Sequence, residues 1–222
     1  MVWDEVWEKT FNSQEWGKYP NEELIRFIAR NFYKVKDRKI IKILEVGCGP
    51  GANIWYLARE GFCVYGIDGS ITAIKKAKNR LNREVKDWFG DFRVGDIVTL
   101  PFDEQFFDAV IDVECLYCNS IKDLDRILDE IKRVLKPKGM FFSLTLATGC
   151  WGDETGEKVG YNAYYTTEGP MKEKGFARFT SRKDIKEFYG KNFEIVSLYQ
   201  TIKYFPDIDK KIKEWVIECQ KK

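Results

Sequence analysis

Short apolar runs alternate with amphipathic stretches along residues 39–146. The runs predict five strands, at residues 40–46, 63–67, 92–94, 107–113 and 140–145. The longest predicted helix lies between the last two of them, and its apolar residues share one face: Leu124, Ile127, Leu128, Ile131, Val134 and Leu135. Because strands alternate with helices of this length, we expect a doubly wound α/β domain with a mostly parallel sheet and helices on both faces.

Polar residues mark the points where the helices begin. Asn21, Ser70 and Ser120 each precede a stretch of helical spacing, and their side chains suit a helix N-terminus. Ser120 and Asp123 also resemble a capping box. A shorter helix is predicted over 52–60. The helix after Ser70 is expected to pack through four residues: Ile71, Ile74, Ala77 and Leu81.

The chain beyond residue 146 has a less regular pattern. Residues 147–179 hold six glycines and many aromatic residues without a sustained period, which is typical of a lid or binding loop. A helix from Ser181 to Tyr189, ended by Gly190, and a strand over 193–203 follow it. Beyond residue 206 the pattern alone fits either a helix or a strand.

These breaks suggest how the chain is organised. We expect an N-terminal arm with its helix (1–36), acting as a lid, and a main domain (37–222) in which residues 147–179 cap the substrate. The aromatic residues of the arm and the insert either contact substrate or simply pack. The candidate substrate contacts are Trp16, Tyr19, Trp151, Tyr161, Tyr164 and Tyr165.

Composition excludes several classes of function. The 222 residues carry a net charge of +2, which is too balanced to indicate a nucleic-acid or membrane surface. No apolar stretch approaches the roughly 20 residues of a membrane span, and the first residues do not resemble a signal peptide. Histidine is absent, and Cys115 and Cys118 have no second cysteine pair, so we predict no metal site. We expect a cytoplasmic protein with six reduced cysteines.

The main chemical signal is the segment Glu45-Val46-Gly47-Cys48-Gly49-Pro50-Gly51 between the first strand and the next helix. Glycines let the backbone turn sharply and bring N–H groups close to a ligand, and the following helix N-terminus favours electronegative groups. Asp68 ends the second predicted strand, where a carboxylate can accept hydrogen bonds from ribose hydroxyls. The first two strands therefore predict a nucleoside-binding crevice.

A nicotinamide enzyme is the first alternative, because Gly47, Gly49 and Ala52 fit a loose dinucleotide fingerprint. Three features argue against it. The Glu45 carboxylate would repel a pyrophosphate but attract the ammonium group of a methionine moiety. Asp96 places a second acid after the third strand, and the chain has no separate catalytic domain.

Six ordered motifs across residues 40–146 resemble the class I S-adenosylmethionine-dependent methyltransferases, in the subgroup with small-molecule acceptors that includes quinone-biosynthesis enzymes. The motifs are 43–51, 66–70, Gly95-Asp96-Ile97, Leu100-Pro101-Phe102, 107–112 and 134–139. The resemblance implies a seven-stranded sheet whose last strand is antiparallel. It therefore favours a hairpin from 193–203 to 213–220 at the end of the domain.

The resemblance further implies S-adenosylmethionine as cofactor, S-adenosylhomocysteine as product, and twelve cofactor-binding residues: Glu45, Gly47, Cys48, Gly49, Gly51, Asn53, Asp68, Gly69, Ser70, Asp96, Ile97 and Val113. Glu45 and the glycines are expected at the methionine end, and Asp68 at the ribose. Asp96 is expected at the adenine amine, and Ile97 on one adenine face. The end of the fourth strand should border the methyl group.

Methyl transfer needs few catalytic groups, because the sulfonium is already electrophilic and the enzyme mainly aligns the acceptor and excludes water. An acceptor of low acidity needs a base, and the candidates are Glu114, Tyr117 or an acid from the insert. We expect transfer to an O, N or C nucleophile of a small molecule, with no membrane partner and an undetermined oligomeric state. The alternatives are a tRNA or protein methyltransferase, an NAD-dependent oxidoreductase, and a cofactor-binding module without catalysis.

Overall fold

The structure, a computed structural model, describes residues 3–222. Its strands are β1 (Lys42–Val46), β2 (Cys63–Asp68), β3 (Phe89–Val94), β4 (Phe107–Val113), β5 (Leu135–Leu146), β6 (Glu157–Gly160), β7 (Ala163–Tyr165), β8 (Phe176–Arg178), β9 (Phe193–Phe205) and β10 (Lys210–Lys221). Seven of them form the main sheet in the order β3-β2-β1-β4-β5-β10-β9. The pairs among β1–β5 are parallel, while β10 runs antiparallel to both β5 and β9. This confirms the predicted sheet and the hairpin that ends it.

Helices cover both faces of this sheet. They are α1 (Val6–Ser13), α2 (Glu22–Phe32), α3 (Ala52–Arg59), α4 (Ile71–Glu84), α5 (Ile121–Val134), α6 (Arg182–Asp184) and α7 (Gly190–Asn192). Adjacent residues of β1 point to opposite faces: Ile43 packs in a core with α2, α3 and α4, and Leu44 in a core with α5. The two cores make the sheet doubly wound.

The predicted helix caps are present, with two corrections. Asn21 accepts a hydrogen bond from the Glu23 N–H, and Ser70 and Ser120 cap α4 and α5 in the same way. At Ser120 the Asp123 carboxylate accepts the serine hydroxyl at 2.6 Å, so the predicted reciprocal box is not formed there. Ile71 is 53% exposed instead of packed, because the first residue of α4 faces solvent.

Several predicted element boundaries were wrong. β5 begins at Leu135, which was expected on the helix, and it includes residues 136–139, which were expected to separate helix from strand. The helix after residue 181 does not end at Gly190: a π-helical segment, Ile185–Tyr189, leads into α7, and Gly190 takes right-handed helical angles. β3 begins three residues before its predicted start, at Phe89, because its polar residues and Gly90 hide the apolar pattern of an edge strand.

The insert after β5 is a packed unit. Strands β6, β7 and β8 form a separate three-stranded antiparallel sheet, which rests on a small apolar core. The buried members of this core are Tyr117, Leu146, Cys150, Tyr164, Met171, Ala177 and Phe179. A bridge between Ala147 and Thr180 holds the two ends of the insert together. The insert is thereby fixed at the carboxyl end of β5, on the side of the sheet where doubly wound domains bind ligands.

Candidate active site

A cavity of about 400 Å³ opens at the carboxyl ends of β1, β2 and β4. It brings together fifteen residues predicted from the sequence: Trp16, Tyr19, Glu45, Gly47, Cys48, Gly49, Gly51, Asn53, Asp68, Gly69, Asp96, Ile97, Val113, Glu114 and Tyr117. The N-terminal arm and a short part of the insert complete the wall. Its volume lies in the range of small-molecule sites.

The glycine-rich turn has a backbone that requires glycine at two points. Gly47 lies at φ +65°, and a Cβ there would overlap the side chain of Cys115. Gly51 lies at φ +83° as the N-cap of α3, where a Cβ would lie 2.9 Å from the Cβ of Ala77. Both conformations favour glycine strongly over other residues. The turn can therefore pass close to β4 and α4 while the N-terminus of α3 borders the cavity.

Glu45 places a buried carboxyl group beside this turn. Its side chain is 2% exposed, and its Oε1 accepts a hydrogen bond of 2.6 Å from Asn53. Oε2 is buried and has no hydrogen-bond partner among residues 3–222. Burial is the main reason that the pKa of Glu45 rises to about 8, and the nearby carboxyl groups of Asp112 and Asp68 add to the rise. A cationic group of a ligand would satisfy this oxygen and restore the carboxylate.

Asp68 organises the loop after β2. Its two oxygens accept hydrogen bonds of 2.8 Å from the N–H groups of Gly49 and Ser70, while burial raises its pKa. Each carboxylate oxygen retains a second lone pair, so ribose hydroxyls can still be bound. Ser70 has a different role from the one predicted: its side chain caps α4 and donates to Glu8, and it lies outside the cavity lining.

The loop after β3 brings Asp96 and Ile97 to the same cavity. Asp96 Oδ1 accepts the N–H of Val98 at 3.1 Å, which orients the carboxyl group within the loop. Ile97 is 7% exposed and belongs to the α5-side core. An acid next to an apolar surface suits the amine edge and the face of a purine.

The end of β4 carries the candidate catalytic residues. Glu114 has a backbone φ of +62°, and its N–H is bonded to the Leu144 carbonyl at 3.0 Å. Glu114 is exposed and lines the cavity, although the surrounding protein removes part of the water around its carboxyl group. This loss of hydration, followed by the contact with Glu214, raises the pKa of Glu114. Tyr117 is 4% exposed and donates its hydroxyl to the Met171 sulfur at 3.4 Å. Burial raises the pKa of Tyr117, so the phenol stays protonated and is a poorer base than Glu114.

Asp112 supports this turn and was not predicted from the sequence. Its Oδ1 accepts the N–H groups of Cys115 and Leu116 at 2.9 and 3.0 Å, and its Oδ2 accepts the Ser143 hydroxyl at 2.6 Å. These bonds fix the residues that follow Glu114. The only sequence signal was an acid inside an otherwise apolar strand, which indicates a buried polar group with dedicated partners.

The arm crosses the mouth of the cavity. Trp7, Phe11 and Trp16 pack against one another with ring centroids 5.2–5.9 Å apart. Glu8 ties the arm to α4, where its carboxylate accepts the Thr72 hydroxyl at 2.5 Å and the hydroxyl of Ser70. Tyr19 lies at the edge of the cavity and is 78% exposed. The abundance of tryptophan and phenylalanine in the first 20 residues was the signal for this cover.

The four insert aromatics predicted to touch substrate lie outside the cavity lining. Trp151 donates to Glu168 at 3.1 Å, and Tyr161 donates to Asp184 at 2.9 Å. Tyr164 is buried near Phe179 in the core of the insert, while Tyr165 is 48% exposed. The small sheet uses these side chains for its own packing and surface. The insert reaches the cavity instead through the segment between β7 and β8: Pro170, Met171 and Lys174.

The sequence and the fold were compared with known proteins. Residues 44–143 match the family model described as "Methyltransferase domain". The chain is 37% identical over 102 residues to a phthiotriol/phenolphthiotriol dimycocerosates methyltransferase of Mycobacterium tuberculosis, covering 45% of this chain and 36% of that enzyme. It is 27% identical over 154 residues to a ubiquinone biosynthesis O-methyltransferase of Bartonella tribocorum, covering 68% and 59% of the two chains.

A solved structure has the same fold. A SAM-dependent methyltransferase from Methanosarcina mazei superposes with a TM-score of 0.65 at 22% identity, over 91% of this chain and 98% of that one. The sheet order and the buried acid ahead of three glycines define a methyltransferase-type doubly wound domain. Over residues 44–143, fewer than half of its 222 residues, the chain resembles the class I S-adenosylmethionine-dependent methyltransferases. It spans little more than a third of the length of the mycobacterial relative.

Proposed function

We propose that this protein transfers a methyl group from S-adenosylmethionine to an O, N or C nucleophile of a small molecule. The observation that carries the proposal is the unpartnered Oε2 of Glu45, buried in the wall of a cavity beside the glycine-rich turn. A carboxylate at this point suits a ligand with an ammonium group and repels a pyrophosphate. The nicotinamide alternative is therefore disfavoured.

Each part of the cofactor has a chemically matched group in the cavity. Glu45 would bind the ammonium group, Asp68 the ribose hydroxyls, Asp96 the adenine amine and Ile97 one face of adenine. S-adenosylmethionine, when bound, supplies an electrophilic methyl group and leaves as a neutral thioether. The protein's remaining tasks are to align the acceptor, exclude water and, for an acceptor of low acidity, remove a proton.

The arm and the insert are proposed as the cover of this site. Residues 1–36 would act as the lid and residues 147–179 as the acceptor cap, with Trp16 and Met171 in the described wall. An enclosed cavity of this size favours a small acceptor over a tRNA or protein. No helix in the described part of the chain is long and apolar enough to cross a membrane. We also propose a cytoplasmic location, supported by six free cysteines.

Ligand-induced stabilisation tests the cofactor directly. S-adenosylmethionine and S-adenosylhomocysteine should raise the melting temperature, with about 2.7 kcal/mol of stabilisation at 100 times Kd, whereas NAD and NADP should not. Methyl transfer is then sought by mass spectrometry with a panel of small acceptors. A melting shift with NAD and none with the sulfonium cofactor would overturn the proposal.

A further inference from the structure

The charges along the cavity are strongly unequal. Five carboxyl groups line it in the described chain, and Lys174 is the only cationic side chain among the described lining residues. The proposed function uses three of the acids for the cofactor. Glu114, Asp4 and Lys174 remain for the acceptor, so acids also outnumber cations on the acceptor side. An anionic nucleophile would be repelled there, while a cation would be attracted.

Glu114 is held in an unusual conformation that directs it to this part of the cavity. A φ of +62° lies in the left-handed region, which side chains other than glycine, asparagine and aspartate rarely occupy. Hydrogen bonds hold this conformation in place. The Glu114 N–H donates to the Leu144 carbonyl, and the N–H groups of the next two residues donate to the Asp112 carboxylate. Seven other non-glycine residues of the described chain have a positive φ, and Glu114 is the member of this set that lines the cavity.

A second carboxyl group faces Glu114 from the far end of the sequence. Glu214, on β10 opposite Leu146, lies close enough to Glu114 to raise its pKa, and it accepts the Thr201 hydroxyl at 3.3 Å. Two carboxyl groups this close cannot both be ionised without a cation between or beside them. The other charged or titratable neighbours of Glu114 are Asp112 on β4, Lys203 on β9, and Tyr117 and Cys118 after β4.

The acids do not stand alone as an argument for a ligand. The same cavity contains the Glu45 Oε2, which is buried and unpartnered among the described residues. That oxygen independently requires a cationic ligand, but at the other end of the cavity. At the acceptor end of the cavity, the Glu114–Glu214 pair would attract a cationic acceptor in the way that Glu45 attracts the ammonium group of the cofactor.

We propose, resting on the proposed function, that the acceptor is an amine which arrives as an ammonium ion, that Glu114 binds it and removes its proton, and that Glu214 is the positioning residue. An N–H bond of the ammonium breaks, its electron pair stays on nitrogen, and an O–H bond forms on the Glu114 carboxyl group. The nitrogen becomes neutral and nucleophilic. A hydroxyl acceptor would instead have to become an anion beside two acids, which is unfavourable.

The test uses the full chain saturated with S-adenosylhomocysteine and pairs of probes that differ only in the reacting group. Phenethylamine is compared with 2-phenylethanol, and tyramine with 4-(2-hydroxyethyl)phenol, by calorimetry and by competition. We expect each amine to bind at least tenfold more tightly than its partner. Equal or stronger binding of the hydroxyl partners, or no amine binding up to 10 mM (on the order of a 2.7 kcal/mol interaction), overturns the proposal.

Variants separate the roles of the two acids. Glu114→Gln should lose at least tenfold in amine affinity and leave the affinity for S-adenosylhomocysteine unchanged, which also shows that it is folded. Glu214→Gln should lower the pH at which amine binding is half lost, because Glu114 then loses its acidic neighbour. Glu194→Gln, exposed on β9, is the matched control and should change neither quantity.

Three measurements separate the role of Glu214, the amine inference and the proposed function from one another. Amine binding should fall as the pH drops through the raised pKa of Glu114, because only the carboxylate attracts the ammonium ion. A midpoint that does not move in Glu214→Gln excludes the positioning role. If S-adenosylhomocysteine itself fails to bind the wild-type chain, the proposed function fails; if it binds and amines show no preference, only this inference fails.

Discussion

Glu45 shows how one buried side chain sets both ligand preference and pH response. The raised pKa means that the folded protein holds a proton which the unfolded chain releases. Between the ordinary value of 4.5 and about 8, the free energy of unfolding therefore falls as pH rises, and above about 8 the fall stops. The same proton must leave when a cationic ligand takes its place.

Glu45→Gln should remove that part of the pH dependence. The amide can still accept the Asn53 bond at Oε1, so we expect the free protein to gain stability at pH 8–9 relative to the wild type, and to lose at least tenfold in cofactor affinity. Melting curves from pH 6 to 9 and calorimetry measure the two effects. An unchanged slope of melting temperature against pH would contradict this account of Glu45.

Asp68→Ala should weaken both the cofactor and the loop that binds it. The side chain accepts two backbone N–H groups, so its loss should cost roughly 1.5–3 kcal/mol in binding and a comparable amount in stability. Calorimetry and chemical unfolding measure these quantities, with Asp103→Ala as the exposed control. Full affinity in a folded Asp68→Ala protein would show that the ribose is bound elsewhere.

Among the elements, α1 is tied to α4 by two polar contacts, through the Glu8 carboxylate and through the Phe11 carbonyl, which accepts a hydrogen bond from Lys76. Glu8 joins it to the N-terminus of α4, and the hydrogen bond from Ser70 is the main cause of the lowered pKa of Glu8. Glu8→Ala should speed amide exchange in residues 6–13 by roughly 10- to 100-fold, the loss of a charged hydrogen bond, with Glu5→Ala as control. Equal exchange in both variants would mean that the arm is held by its aromatic residues and the Lys76 bond.

The insert should respond to Tyr164→Ala as a folded unit. Tyr164 is 8% exposed in its core, so truncation should cost about 3 kcal/mol, whereas Tyr165→Ala on the surface should change stability by less than about 0.5 kcal/mol. Urea unfolding measures both. A Tyr164→Ala protein of normal stability with lost acceptor binding would restore the role that the sequence suggested for this residue.

The predictability of the elements follows from their length and surroundings. β4 has seven residues and α5 has fourteen, and each packs against the core along its whole length. Their apolar residues therefore repeat often enough for the sequence to predict a strand and a helix correctly. The strands β6–β8 have three or four residues each, too few to carry a period, and the sequence predicted a loop there. In the π-helical segment after Ser181, Tyr189 stacks on Phe141, which is a tertiary contact that the local sequence pattern does not contain.

The candidate site also has one part that could be predicted from the sequence and one part that could not. The cofactor half follows from a local backbone requirement, since the turn around Gly47 and Gly51 needs glycine and the acids follow strand ends. The proposed acceptor half is lined by the arm, by a short segment of the insert and by Glu114, and Glu214 of β10 lies near Glu114. Lys174 and Glu214 come together with Glu114 only through the fold, so nothing in their neighbouring residues marks them.

At the scale of the whole molecule, β10 lies between β5 and β9 and contributes to the cores on both faces of the sheet. Val216 lies in the core on one face and Ile217 in the core on the other. Val216→Asp should therefore unfold both faces in one transition, because a charge would be buried without a partner, whereas Val196→Asp, at a half-exposed position of β9, should not. Coincident loss of near- and far-UV circular dichroism would confirm this. Separate transitions would mean that the two faces fold independently.

The position of β10 also sets an order of events during synthesis. β9 is made first but borders only β10 in the sheet, so it has no strand to pair with until residues 210–221 have left the ribosome. Glu214 belongs to the same late segment. A nascent chain can therefore form the cofactor turn between β1 and α3 well before the acidic pair exists. On this ordering, the turn exists early, but the cavity becomes complete only when β10 closes the sheet that supports it.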